Sequence, residues 1–186
     1  MSTTEDTPDV IAVLRHDHRH VEELFQKVQD HARFRDRRKE LVDQVTIDLV
    51  RHMVAEEEYV HPIVRDAADG RAVVDHAVAG NAAAEELMKQ LEPLDPTDET
   101  FDRVFIKLMA ATRRHVADDE AQLFPHLAAA CPPVELRELG AKVQAGKSIR
   151  PTRPRESLPT TPSDDPLVGR VPGLIDRVRD ALAGDH

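Results

Sequence analysis

The 186 residues carry Lys+Arg 25 against Asp+Glu 35, a formal net charge of −10. A chain this acidic lacks the basic face that phosphate binding requires, which excludes nucleic acid as the expected partner. The single Cys131 excludes an internal disulfide framework and any all-thiolate zinc or iron–sulfur site within one chain.

Hydrophobic residues make up 40% of the chain and aromatics only 3%. A core is therefore expected, built from Leu, Val, Ile, Ala and Met. Residues 1–9 are polar and acidic and read as a disordered N-terminus without the basic and apolar regions of a secretory signal. No run approaches the roughly 18 apolar residues of a membrane span. A cytoplasmic protein that does not engage a membrane is the expectation, and the sequence leaves the oligomeric state open.

Four long segments show helical periodicity. In the first, Ile11, Leu14, His18, Val21, Phe25 and Val28 follow 3–4 spacing, with Thr7-Pro8 as its N-terminal signal. The Arg run at 33–38 reads as a solvated connection. The second segment extends from about Asp36 to Ala68, with Leu41, Val45, Leu49, His52, Glu56, Tyr59 and Ile63 on one face. Asp69-Gly70 ends it, and Pro62 marks a kink or an early stop. The third, about Arg71 to Glu92, aligns Val73, His76, Gly80, Ala83, Leu87 and Leu91. The fourth, about Glu99 to Ala130, aligns Phe101, Val104, Leu108, Thr112, His115, Asp119 and Gln122.

No stretch alternates with period 2. The fold class is all-α: an antiparallel up-down-up-down four-helix bundle with a linker and a short C-terminal helix. The bundle occupies residues 10–131 and a short extra helix 132–146. A Pro-rich linker covers 147–166 and an amphipathic C-terminal helix 167–186.

One pattern occurs twice. His52 is followed by Glu56 and Glu57 at +4 and +5 and by Pro62 at +10; His115 is followed by Asp119, Glu120 and Pro125 at the same spacings. At about 100° per residue, +4 puts imidazole and carboxylate on one helix face. Each of the four helices aims one His inward: His18, His52, His76 and His115. Glu22, at +4 from His18, returns to the inner face, whereas His61 points outward and His126 lies inward but near the bundle end.

Burying that many ionisable groups uncompensated would cost several kcal/mol each, whereas a metal ion binds neutral imidazole and ionised carboxylate directly. The alternative is a bare polar core. Nitrogen and oxygen donors suit iron or manganese, and two ions bridged by Glu56 and Asp119 would use the ligand number well.

These residues resemble the hemerythrin-like, or HHE cation-binding, family. Asp17-His18 with Glu22-Glu23-Leu24-Phe25 carries the resemblance, as do His52-x-x-x-Glu56-Glu57 with Pro62, His76, and His115-x-x-x-Asp119-Glu120 with Leu123-Phe124-Pro125. The resemblance implies a four-helix bundle holding a non-haem di-iron centre, with manganese or zinc as alternatives. It also implies chemistry with a small ligand (dioxygen, peroxide or nitric oxide), or iron sensing. Peroxide breakdown is the expected outcome, and a non-catalytic oxygen, nitric oxide or iron sensor or store is the alternative.

By the same resemblance His18, His52, His76 and His115 are terminal ligands and Glu56 a bridge, and Asp119 and Glu120 compete for the second bridge. Oxygen carriers place a second His one turn from the first on the third helix. Here those positions are Ala72 and Gly80, so Glu22 or water fills in. A rotated third helix would present Asn81 or Glu85 in place of His76. Tyr59 packs in the core or offers its phenol close to the metals.

Overall fold

The computed structural model describes residues 7–147 and 173–183, which are helical with no strand among them. Expectations for residues 1–6, for the linker at 148–166, and for residues 167–172 and 184–186 of the expected C-terminal helix lie outside the described residues. None of the described helices is long and apolar enough to cross a membrane.

Helix α1 (Val10–Asp30) starts two residues later than the Thr7-Pro8 signal suggests. Asp9 is the N-cap, its carboxylate accepting from the Ala12 N–H at 2.8 Å. Its buried face is Val10, Val13, Leu14, His18, Val21, Leu24, Phe25 and Val28. Helix α2 (Arg35–Ala55) pairs with α1 across a short turn. Arg38 is not part of a solvated run. It is buried with its guanidinium 4.8 Å from the Phe101 ring centroid and bonded to Asp102 at 2.6 Å.

The second and fourth segments do not run as uninterrupted α-helices. After α2 a π turn, Glu56–Val60, leads into α3 (His61–Asp66). Helix α5 (Glu99–Asp118) likewise passes through a π turn, Asp119–Leu123, into α6 (Phe124–Ala130). The His61 N–H reaches back five residues to the Glu56 carbonyl, and Phe124 does the same to Asp119. Each π turn stands just before Pro62 or Pro125, in the first turn of the resumed helix. A proline there has no N–H to place, and its ring crowds the carbonyl four residues back. The extra residue of a π turn widens the spiral at that point, so the chain continues with neither a stop nor a break.

Asp69, at φ 59, is the described non-glycine residue with left-handed backbone, and it turns the chain into α4 (Gly70–Leu91). A Cβ on Gly70 would fall 1.7 Å from the Val64 carbonyl oxygen, so no other residue fits that close approach. Helix α4 packs on α5, α7 (Pro133–Lys147) on α1, and α8 (Leu174–Ala183) on α2.

The apolar interior is divided. One cluster contains Val21, Phe25, Val45, Leu49, Met88, Phe101, Phe105 and Leu108, and Ile175 and Val178 of α8 join it. The other contains Val10, Leu14, Val60, Val64, Val74, Leu123, Phe124 and Leu127, with Leu136 and Val143 of α7. Along every long helix the residues between these clusters are polar: His18, His52 with Glu56, Asn81, and Thr112, His115 and Asp119, all buried.

Candidate metal centre

The polar layer converges on one point. One ligand atom from each of His52, Glu56, His115 and Asp119 lies within 4.8 Å of the others, and all four residues are buried. Glu56 spans the site, with Oε1 3.3 Å from His52 Nε2 and Oε2 3.6 Å from His115 Nε2. Asp119 Oδ2 is 3.1 Å from His115 Nε2 and 3.9 Å from His18 Nε2. His18 Nε2 also stands 3.2 Å from His52 Nε2. Ligand bonds of about 2.0–2.2 Å place neighbouring donors of one ion roughly 3.0–3.4 Å apart, close to the spacings seen here.

Each pair is local helix chemistry, since His52/Glu56 and His115/Asp119 are one turn apart and both acids open a π turn. Outer groups aim the rings. Glu120 Oε1 is 3.0 Å from His18 Nδ1, and Asp17 Oδ2 is 3.6 Å from His52 Nδ1. Asn81 donates to Glu56 Oε2 at 3.1 Å. Carboxylates behind metal-ligating imidazoles fix the tautomer so that the inner nitrogen is free to bind. Phe124 stacks on His18 with ring centroids 5.6 Å apart.

Electrostatics show a site that wants a cation. Burial, then the neighbouring His52 charge, pushes the His18 imidazole down to about 4. Burial would also lower His52, but Glu56 and Asp17 outweigh it and hold this ring up at about 10. Burial would raise Glu56, yet His52 and His115 keep it well below its usual range. Asp119 is driven up to about 9 by burial and then by Glu56. Protons thus stand in for positive charge between the carboxylates. Glu56 Oε1, His115 Nε2 and Asp119 Oδ2 are buried without an aligned hydrogen bond, and such orphaned atoms are costly unless an ion satisfies them. The donors present fit a metal of nitrogen/oxygen preference.

Of the residues expected at the site, His18, His52, Glu56, His115 and Asp119 are brought together. His76 is not. Its side chain is 62% exposed and pairs with Asp118 at 3.0 Å. The buried face of α4 is Gly70, Val74, Ala77, Asn81, Ala84, Met88 and Leu91, one residue on from the expected stripe. Asn81 holds the inner position instead. Glu22 is exposed, its carboxylate held by Arg113 at 2.6 and 2.9 Å. Glu120 lies behind His18, 3.0 Å from its Nδ1, whereas Asp119 belongs to the inner cluster. Tyr59 packs at the edge of the second apolar cluster; burial, then Glu58, to which its hydroxyl bonds, raises its pKa.

His61 is buried, not outward. The extra residue of the π turn sets the following segment back by about 100°, which also accounts for His126 being half-buried, its ring bonded to the Gln122 carbonyl. Asp17 and Gly80 were not expected to have roles. The need of His52 Nδ1 for an acceptor was the signal for Asp17, and a glycine within a helix was the signal for Gly80.

The model of the Hemerythrin HHE cation binding domain matches residues 9–127. An uncharacterized hemerythrin-like protein of Schizosaccharomyces pombe (strain 972 / ATCC 24843) is 21% identical over 168 residues, 89% of this chain and 82% of that protein. A solved structure, the hemerythrin HHE cation binding domain-containing Rv2633c homolog from Mycobacterium kansasii, superposes with a TM-score of 0.66 at 19% identity. It covers 74% of this chain and 84% of its own, a likeness of fold. With the family match spanning all four long helical segments and every donor of the buried cluster, the chain belongs to the hemerythrin HHE cation-binding family.

Proposed function

We propose that the chain holds two non-haem iron ions and handles a small oxidant, dioxygen or peroxide, in a cytoplasmic setting. The observation that carries this reading is the convergence of His18, His52, Glu56, His115 and Asp119 with buried donor atoms that lack aligned hydrogen bonds. Both carboxylates lie between imidazoles from different helices, the disposition of bridging ligands. A pair of redox-active ions supplies electrons to a bound oxidant that no side chain of this layer can supply.

The residues around the site serve such a ligand. A cavity of about 230 Å³ between α1 and α5 is lined by His18, Phe25, Thr112, Val116 and Glu120, giving a small molecule a way to the cluster. Glu120, 3.0 Å from His18 Nδ1, can hold or return a proton at that nitrogen. Apolar clusters on both sides keep bulk water from the layer.

The test is metal analysis of freshly purified protein, followed by dioxygen release from added peroxide. Two irons per chain, with turnover lost in His52→Ala and Glu56→Ala, are expected. Protein that takes up no iron ends the reading.

A sensor reading has one observation in its favour. Arg179 of α8 bonds Glu57, the residue after Glu56, at 3.0 Å and Glu85 of α4 at 2.9 Å. The metal state of the first π turn could therefore set how α8 docks. Amide exchange of α8 that differs between iron-loaded and metal-free protein, with no peroxide turnover, would favour it.

A further inference from the structure

The cluster is uneven. His18 and His52 both approach one side, whereas among the described residues His115 is the single imidazole within bonding range on the other. The third long helix, from which the family resemblance leads one to expect an imidazole, presents His76 to solvent and Asn81 to the site. Asn81 is 4% exposed, its Nδ2 is 3.1 Å from Glu56 Oε2, and its Oδ1 has no hydrogen-bond partner. A buried amide oxygen without a partner is a costly arrangement in a folded core.

The geometry points to Asn81 as a metal ligand through its side-chain oxygen, completing the subsite built by His115, Asp119 and Glu56. The two ends of a carboxamide have nearly the same shape, and rotation by 180° exchanges them. That rotation brings Oδ1 to the atom position now 3.1 Å from Glu56 Oε2, a spacing that two oxygen ligands of one cation share. The result is an asymmetric pair of subsites. One has two imidazoles; the other has a single imidazole and otherwise oxygen donors, a set that suits Mn(II) or Fe(II) over softer ions. This inference rests on the two-ion reading above and adds which residue holds the second ion.

The test is anaerobic titration of the metal-free full chain with Mn(II), free ion being read by electron paramagnetic resonance. The wild type is expected to take up two equivalents. Asn81→Leu keeps the branched shape but removes the oxygen; it should leave the first equivalent unchanged and weaken the second ten- to a hundredfold. Asn81→Asp, which restores an oxygen, should retain both.

His61→Gln changes another buried side chain near this side, whose Nε2 has no hydrogen-bond partner, and should also retain both. Circular dichroism of each metal-free variant checks the fold, and Asn81→Ala carries the same test if the leucine variant does not fold. Two wild-type equivalents that persist unchanged in Asn81→Leu overturn the assignment alone, as does loss of the second in His61→Gln but not in Asn81→Leu. A wild type that binds one equivalent overturns the assignment, and one that binds none overturns the two-ion reading with it.

Discussion

The position a Cβ would take on Gly80 is 2.7 Å from Nδ1 of His115. The imidazole therefore rests directly against the backbone of α4, and the helix presses it toward Glu56 and Asp119. Gly80→Ala should displace the ring. Alanine favours the helix by roughly 0.5–1 kcal/mol, and a metal-free chain can turn the ring aside, so its thermal midpoint should hold. Cation affinity should fall about tenfold or more. Chelator competition measures it, and an affinity equal to wild type would show that His115 is not held by this contact.

Asp17 and His76 make a contrasting pair. Asp17 is 3.6 Å from Nδ1 of a ring inside the cluster, and His76 is an exposed imidazole with its own acid. Asp17→Asn should weaken metal binding ten- to a hundredfold, while His76→Ala should leave metal content and affinity as they are. Elemental analysis and chelator competition on the two variants check both. Loss of metal in His76→Ala would restore that residue to the site.

Stripping the metal should destabilise the fold. A ligand present at about 100 times its dissociation constant stabilises by about 2.7 kcal/mol, and each kcal/mol moves the midpoint of a chain this size by about 2–4 °C. A drop of about 5–10 °C on chelation is expected in a thermal melt, reversed by adding the cation back. Superimposable melts would mean that the polar layer is satisfied without an ion.

The docking of α8 should weaken in acid. Burial would raise Glu85, but Lys89 and Arg179 outweigh it and hold its carboxyl below its ordinary value. A group depressed in the folded state contributes stability above its unfolded pKa and loses it as pH falls through the folded one. The Arg179 contact should therefore persist at neutral pH and be lost below the ordinary carboxylate range. Backbone amide resonances of residues 174–183, followed from neutral pH downward, report it. An Arg179→Ala chain should show the released pattern already at neutral pH.

Most of the bundle is legible in the sequence because Phe, Leu and Val recur at helical spacing on the inner faces of α1, α2 and α5. The same recurrence identifies His18, His52 and His115 as inward, and the +4 spacing brings Glu56 and Asp119 with them. On helix α4 the recurrence can be read in two registers. Val73 and Val74 are adjacent, and Ala72, Ala77, Ala79, Ala82, Ala83 and Ala84 surround it with small side chains. A stripe one residue off is then equally apolar, and it carries His76 inward in place of Asn81.

His61 departs from its expected outward position for another reason. Helical angles assume a constant turn, and the π turn at Glu56–Val60 breaks it. Its sole mark in the sequence is a proline ten residues after each histidine. Backbone closeness, as at Gly80, leaves no mark except the glycine itself.

Because the ionisable layer cuts the interior in two, the molecule has a pair of apolar compartments meeting at a buried polar seam. A cation bound there would work as a rivet through that seam, joining two separate apolar clusters. Heat should then act on the stripped chain compartment by compartment, and the riveted one should melt as a piece.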